Sequence, residues 1–113
     1  MDKREYITTF ELMVQGMIEK DRIKLENSLS KKAKLFHMTG KCEDREEYIA
    51  DILDGTLNYY DYKIVSFNQN NAVIKLLAKV YGGAKSWWTL SMKTKFVLED
   101  NKIKIEECKV NLA

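Results

Sequence analysis

Proline is absent from the 113-residue chain, and glycine occurs only five times. That scarcity excludes a collagen-like repeat and a Pro-rich or Gly-rich linker. Two cysteines, Cys42 and Cys108, are too few for a disulfide framework. Histidine occurs once, as His37. A zinc site would have to join that histidine to both cysteines, whereas such sites take four ligands in tight local pairs. No metal and no cofactor is expected. No stretch approaches the roughly 20 apolar residues of a membrane span. The opening MDKREYITTF is charged at once and leads into no secretion-signal run, so a cytoplasmic protein without a membrane partner is expected. Charge of one sign is also lacking. Nineteen Lys and Arg against seventeen Asp and Glu leave +2, too little to argue for nucleic acid.

What is present is an ordinary globular balance, 45% hydrophobic and 32% charged. One domain over residues 1–113 is expected, large enough for a single core. The two halves differ. Residues 1–55 read as helical and 56–113 as strands. A first helix over about 2–20 carries Tyr6, Phe10, Met13 and Met17 in a broad apolar stripe, interrupted by Gly16. Asp21 is placed to cap a short second helix with Ile23, Leu25 and Leu29. A short strand over 33–38 leads to a turn at Thr39-Gly40. Asp44, with Glu47 three residues later, has capping-box spacing for a third helix, and Gly55 fits its C-terminal end.

Strands are expected over about 56–67, 71–81, 85–98 and 102–110, joined by short turns into an antiparallel meander. Alternation puts Trp88, Leu90, Met92, Thr94 and Phe96 on one face of the third. It puts Ala72, Ile74, Leu76 and Ala78 on one face of the second. Parity breaks between Ile105 and Cys108, so a bulge is expected near Glu106-Glu107. The architecture is α+β, three helices packed on a strongly curved, mostly antiparallel sheet as a cone-shaped roll. A curled sheet over a short helical layer leaves a hollow.

The ordered set of the helix ending Glu19-Lys20-Asp21, the block AKLFHMTGKCEDREEYIADILDGTLNYY, the YGGAKSWWTLSMKTKFVLED hairpin and the final KIKIEECKV resembles the nuclear transport factor 2-like superfamily. That group includes ketosteroid isomerases, scytalone dehydratase and SnoaL-like cyclases, and its uncharacterised bacterial branch is the best match. The resemblance implies a cone open to a small apolar molecule and a homodimer formed through the outer sheet face. It also allows a position-by-position comparison with the isomerase. The isomerase's general base falls on His37, its helical tyrosine donor falls on Met13, and its second acidic donor would fall near Trp87–Met92, where no acid stands. The isomerase set is therefore absent.

His37 remains as an acid/base candidate, since an imidazole titrates near neutrality. The ligand-lining candidates are Phe10, Met13, Met17, Tyr60, Trp88, Leu90, Met92 and Phe96. Three functions compete. The first is a binder of a small apolar or aromatic molecule without catalysis. The second is an isomerase, dehydratase or cyclase using His37. The third is a dimerising module with a filled core. Lys75, Lys79, Lys93 and Lys95 read as a solvated outer face or dimer rim around Trp87, not as a nucleic-acid platform.

Overall fold

The computed structural model describes residues 3–79 and 83–113. Helix α1 spans Lys3–Glu19, α2 Arg22–Ser28 and α3 Arg45–Leu53. The strands are β1 (Leu29–Phe36), β2 (Cys42–Asp44), β3 (Asn58–Asn68), β4 (Asn71–Lys79), β5 (Ser86–Glu99) and β6 (Lys102–Leu112). They form one six-stranded sheet in the order β2-β1-β6-β5-β4-β3. Every pairing is antiparallel except β1 with β6. The fold is thus α+β with a mixed sheet, and β3 to β6 form the expected meander. Among the described residues no helix is long and apolar enough to cross a membrane.

Local signals account for the helix ends. The Asp21 side chain accepts from the Ile23 and Lys24 amides and starts α2. Asp44 and Glu47 form a reciprocal capping box at α3. Gly55 follows α3 with φ of 85°, a backbone that side chains resist. Gly16 has a different cause. A Cβ there would lie 2.9 Å from Leu25 Cγ and 3.2 Å from the Leu25 amide nitrogen, so the glycine lets α1 and α2 approach closely.

The core joins Phe10, Met13, Val14 and Met17 of α1 and Ile49 and Ile52 of α3 to the inward residues of the sheet. On β4 these are Ala72, Ile74 and Leu76, on β5 Leu90 and Met92, and on β6 Ile105 and Cys108. The parity break on β6 is a bulge: Lys95 faces Glu107 while Phe96 faces Ile105, leaving Glu106 unmatched.

Three expectations need correction. β1 begins at Leu29, not at 33, because α2 ends one residue earlier and Leu29 pairs at once with Ile105. Its neighbour on the other side is β2, a three-residue strand where only a turn at Thr39-Gly40 followed by the third helix is expected. The first strand of the meander begins at Asn58, since the Leu57 amide is committed to the Asp51 carbonyl. The expected end of the second strand at Tyr81 lies outside the described residues.

Candidate functional site

A cavity of about 620 Å³ lies between the sheet and the C-terminal ends of α1 and α3. One wall is apolar, made by Met17, Leu76, Ala78, Trp88, Leu90 and Met92. Tyr60 stands at its edge, partly exposed. The structure thus places five of the eight lining candidates, Met17, Tyr60, Trp88, Leu90 and Met92, on this cavity. Phe10, Met13 and Phe96 lie elsewhere. Phe10 and Met13 precede Met17 by one to two helical turns, roughly 6–10 Å down the axis, where side chains fill the core completely. Phe10 packs against Phe67 there, ring centroids 5.6 Å apart. Phe96 lies eight residues beyond Trp88, roughly 27 Å along β5, and its ring meets Tyr6 at 5.0 Å. Both elements are longer than the hollow they border.

The opposite wall is polar, and its geometry follows from the β1–β2 hairpin. Leu35 pairs with Glu43, and the His37 amide closes the turn by donating to the Lys41 carbonyl. Glu43 therefore shares the inward face with buried Leu35. His37, two residues beyond Leu35, meets Glu43 on the diagonal of the same face. His37 Nε2 lies 2.5 Å from Glu43 Oε1, and the Glu43 side chain is only 3% exposed. α3 adds the rest. Tyr48 and Asp51, three residues apart, share one helix face and line the cavity. The Lys41 ammonium stands 3.8 Å from both Glu43 Oε2 and Asp51 Oδ2.

The electrostatics follow from burial. Loss of water pushes the Glu43 carboxyl up to about 7, and the Asp51 carboxylate nearby adds to the effect. Burial, and then the Lys41 charge, lower the His37 pKa. The close His37–Glu43 contact has the spacing of an ion pair, but burial drives both partners toward their uncharged forms. The arrangement consistent with this is neutral imidazole Nε2–H donating to Oε1 of a protonated Glu43. Tyr48 and Tyr59 line the cavity beside this cluster, and burial raises both hydroxyls, Tyr59 to about 12. Burial likewise raises the Cys108 thiol to about 12, so it is an unreactive wall residue.

The sequence singled out His37 as a site residue but not Lys41, Glu43, Tyr48 or Asp51. The missed signal was the hairpin itself. His37 and Glu43 flank Gly40 at equal distance, which places them near one another as soon as the turn is read as a β-hairpin. Tyr59 turns inward, against simple alternation with Tyr62, because the β3–β4 register slips between Tyr59 and Asp61. Among the described residues no group of three His, Cys, Asp or Glu is arranged to hold a metal ion.

The whole chain superimposes on solved structures. A nuclear transport factor 2-like (NTF2-like) protein from Cytophaga hutchinsonii matches over 100% of both chains with a TM-score of 0.69 and 17% identity. The fold is NTF2-like. An NTF2-like protein of unknown function in nutrient uptake from Rhodospirillum rubrum matches over 95% of this chain and 97% of its own, TM-score 0.70, 15% identity. An NTF2-like protein of unknown function from Silicibacter pomeroyi matches over 97% and 94%, TM-score 0.63, 17% identity. No family model and no curated protein matches the chain. At these identities the likeness concerns the NTF2-like backbone and assigns no role to any side chain.

Proposed function

We propose that this chain binds a small apolar or aromatic molecule in the cavity, its polar end against the His37–Glu43–Asp51 cluster. One observation carries the reading: an apolar hollow of about 620 Å³ with His37, Glu43 and Asp51 gathered on one wall. Pockets for small molecules have this composition, apolar lining with a few convergent polar groups. Met17, Tyr60, Trp88, Leu90 and Met92 would contact the ligand body. His37 would orient it.

The test is binding of 2-acetylnaphthalene, followed by tryptophan fluorescence in a Trp87→Phe background that leaves Trp88 as reporter. Saturable quenching is expected, and Ala78→Phe, which puts a ring into the hollow, should abolish it while circular dichroism stays native. Quenching that persists in Ala78→Phe would place the probe elsewhere and end the reading.

The buried Glu43 carboxyl, in contact with His37 and raised to about 7, favours a second reading, an acid/base enzyme of the isomerase, dehydratase or cyclase kind. There Glu43 exchanges a proton and His37 positions it, a reversal of the sequence expectation. Exchange of the probe's methyl-ketone hydrogens for deuterium, lost in Glu43→Gln, would support it. No exchange above buffer would leave binding alone.

We also read the outer sheet face, with exposed Trp87 under Lys63 at 5.8 Å, as the meeting place of two copies of the chain. Light scattering of Trp87→Lys tests this. A wild-type dimer that becomes a monomer supports it, and an unchanged mass refutes it.

A further inference from the structure

We propose that the cavity binds uncharged molecules together with one proton, which the buried Glu43 carboxyl beside His37 holds while the cavity is filled. The inference rests on the binding reading above and specifies the charge state of both partners.

Titratable groups from several elements line the cavity around Glu43. The β1–β2 hairpin contributes His37 and Lys41, and α3 contributes Tyr48 and Asp51, with Glu47 acting on Glu43 through its charge. β3 contributes Tyr59, β4 Lys79 and β6 Cys108. α1 and β5 line the cavity with Met17, Trp88, Leu90 and Met92, none of them titratable near neutrality. The only cations in this set are Lys41 and Lys79, both exposed to solvent. Lys41 is the one in contact with Glu43 and Asp51, and its side chain is 60% exposed.

An uncharged molecule seated on this wall replaces the cavity water beside Glu43, which reaches the cluster at His37 and Asp51, 19% and 23% exposed. A charge on Glu43 then costs more than before, because a ketone oxygen accepts hydrogen bonds but cannot donate one to a carboxylate as water does. The carboxyl already titrates at about 7 with the cavity open to solvent. Filling the cavity raises it further, so the filled form holds its proton to higher pH. Linkage is reciprocal: if the ligand favours protonated Glu43, protonation favours the ligand by the same factor. Affinity for an uncharged ligand must then fall as pH climbs through the neutral range, by up to about tenfold per pH unit where one proton is taken up. An anion fares worse, because its charge meets the Glu43 and Asp51 carboxylates across a poorly solvated wall.

Calorimetry of the whole chain with 2-acetylnaphthalene, uncharged at every pH used, and 2-naphthoate, its anionic counterpart, tests this. Titration at pH 8 in two buffers of different ionisation enthalpy counts the protons taken up. Expected are a fractional uptake, a ketone affinity about three- to tenfold weaker at pH 8.5 than at pH 6, and a naphthoate weaker than the ketone at pH 8.5. Glu43→Gln should remove both the slope and the uptake. An affinity independent of pH with no proton uptake would overturn the inference and leave the binding reading standing. Tighter binding of naphthoate at pH 8.5 would overturn it as well. Failure of the ketone to bind at any pH would remove the binding reading first. Should Glu43→Gln not fold, the two-buffer count on the unaltered chain decides alone.

Discussion

Replacing Glu43 by glutamine should make the protein more stable at alkaline pH, although it deletes a buried residue with several partners. An ordinary glutamate titrates near 4.5, and Glu43 titrates at about 7 in the fold because it is buried beside Asp51. Between those values the native chain binds more protons than the unfolded one, so stability falls as pH rises through this window. Below it Glu43 costs nothing. Above it the full cost applies, about 3 kcal/mol at 1.36 kcal/mol per pH unit. Glutamine has the shape of the protonated carboxyl. Its oxygen can accept from His37 as the carboxyl does. Allowing about 1 kcal/mol for imperfect hydrogen bonds leaves a gain of about 2 kcal/mol at pH 8. For a domain of this size that is a rise in Tm of about 8 °C. At pH 4.5 the variant should be equal or slightly less stable, so the two stability curves cross. Urea unfolding from pH 4.5 to 8.5, read as variant minus wild type, cancels the other titrating groups. A difference that does not change with pH would refute the reasoning, as would a Glu43→Gln chain less stable than wild type at pH 8.

Gly16→Ala should lose about 1–2 kcal/mol in urea unfolding, because the clash with the Leu25 backbone outweighs roughly 1 kcal/mol of helix propensity; a more stable variant would show that α2 is free to move away. Lys20→Met should cost about 1–3 kcal/mol, since the ammonium donates to the carbonyls of Ile52 (2.9 Å) and Leu57 (3.3 Å) and to Asn58 Oδ1 (3.1 Å). Its local mark should be faster hydrogen exchange over 54–58, and unchanged exchange there would refute the tether. Asp44→Ala should cost about 1 kcal/mol through the lost capping box, measured by chemical denaturation. Glu99 accepts from the Ser30 hydroxyl and the Lys31 amide, which lowers its pKa. Its contribution is complete above the ordinary glutamate range and is lost as pH falls through the lowered value; Glu99→Gln should therefore flatten the acid limb of the stability curve.

Most of this fold was legible because short-range chemistry marks it. Asp21, Asp44 with Glu47, and Gly55 announce helix ends within four residues of themselves. The alternation of Trp88, Leu90 and Met92 announces a half-buried strand. The parallel contact of β1 with β6 was not legible. It joins residues about 75 apart in the chain, and its register slips between Leu29 and Lys34, so no periodic pattern records it. The polar wall escaped for a related reason. Glu43 sits in a three-residue strand, too short for alternation to register, and the Cys42-Glu43-Asp44 run is polar enough to pass for a loop. An acid that is 2% exposed looks in sequence like an acid in water. Only the pairing with Leu35 reveals its direction.

The division of labour between elements explains why the polar groups lie where they do. β4 and β5 build the apolar wall, and each is paired on both sides, so their inward residues cannot change without disturbing two neighbours. The hairpin of β1 and β2 lies at the other edge, and β2 pairs on one side only. There a charged residue can be turned inward at the cost of its own desolvation. Lys41, from the turn of the same hairpin, eases that cost, His37 supplies a contact, and Asp51, from the helix that Asp44 starts one residue after Glu43, adds its charge to the cost. The cluster therefore assembles from one continuous segment, residues 37–51. Its charge state can respond to what enters the cavity without rearranging the sheet that shapes it.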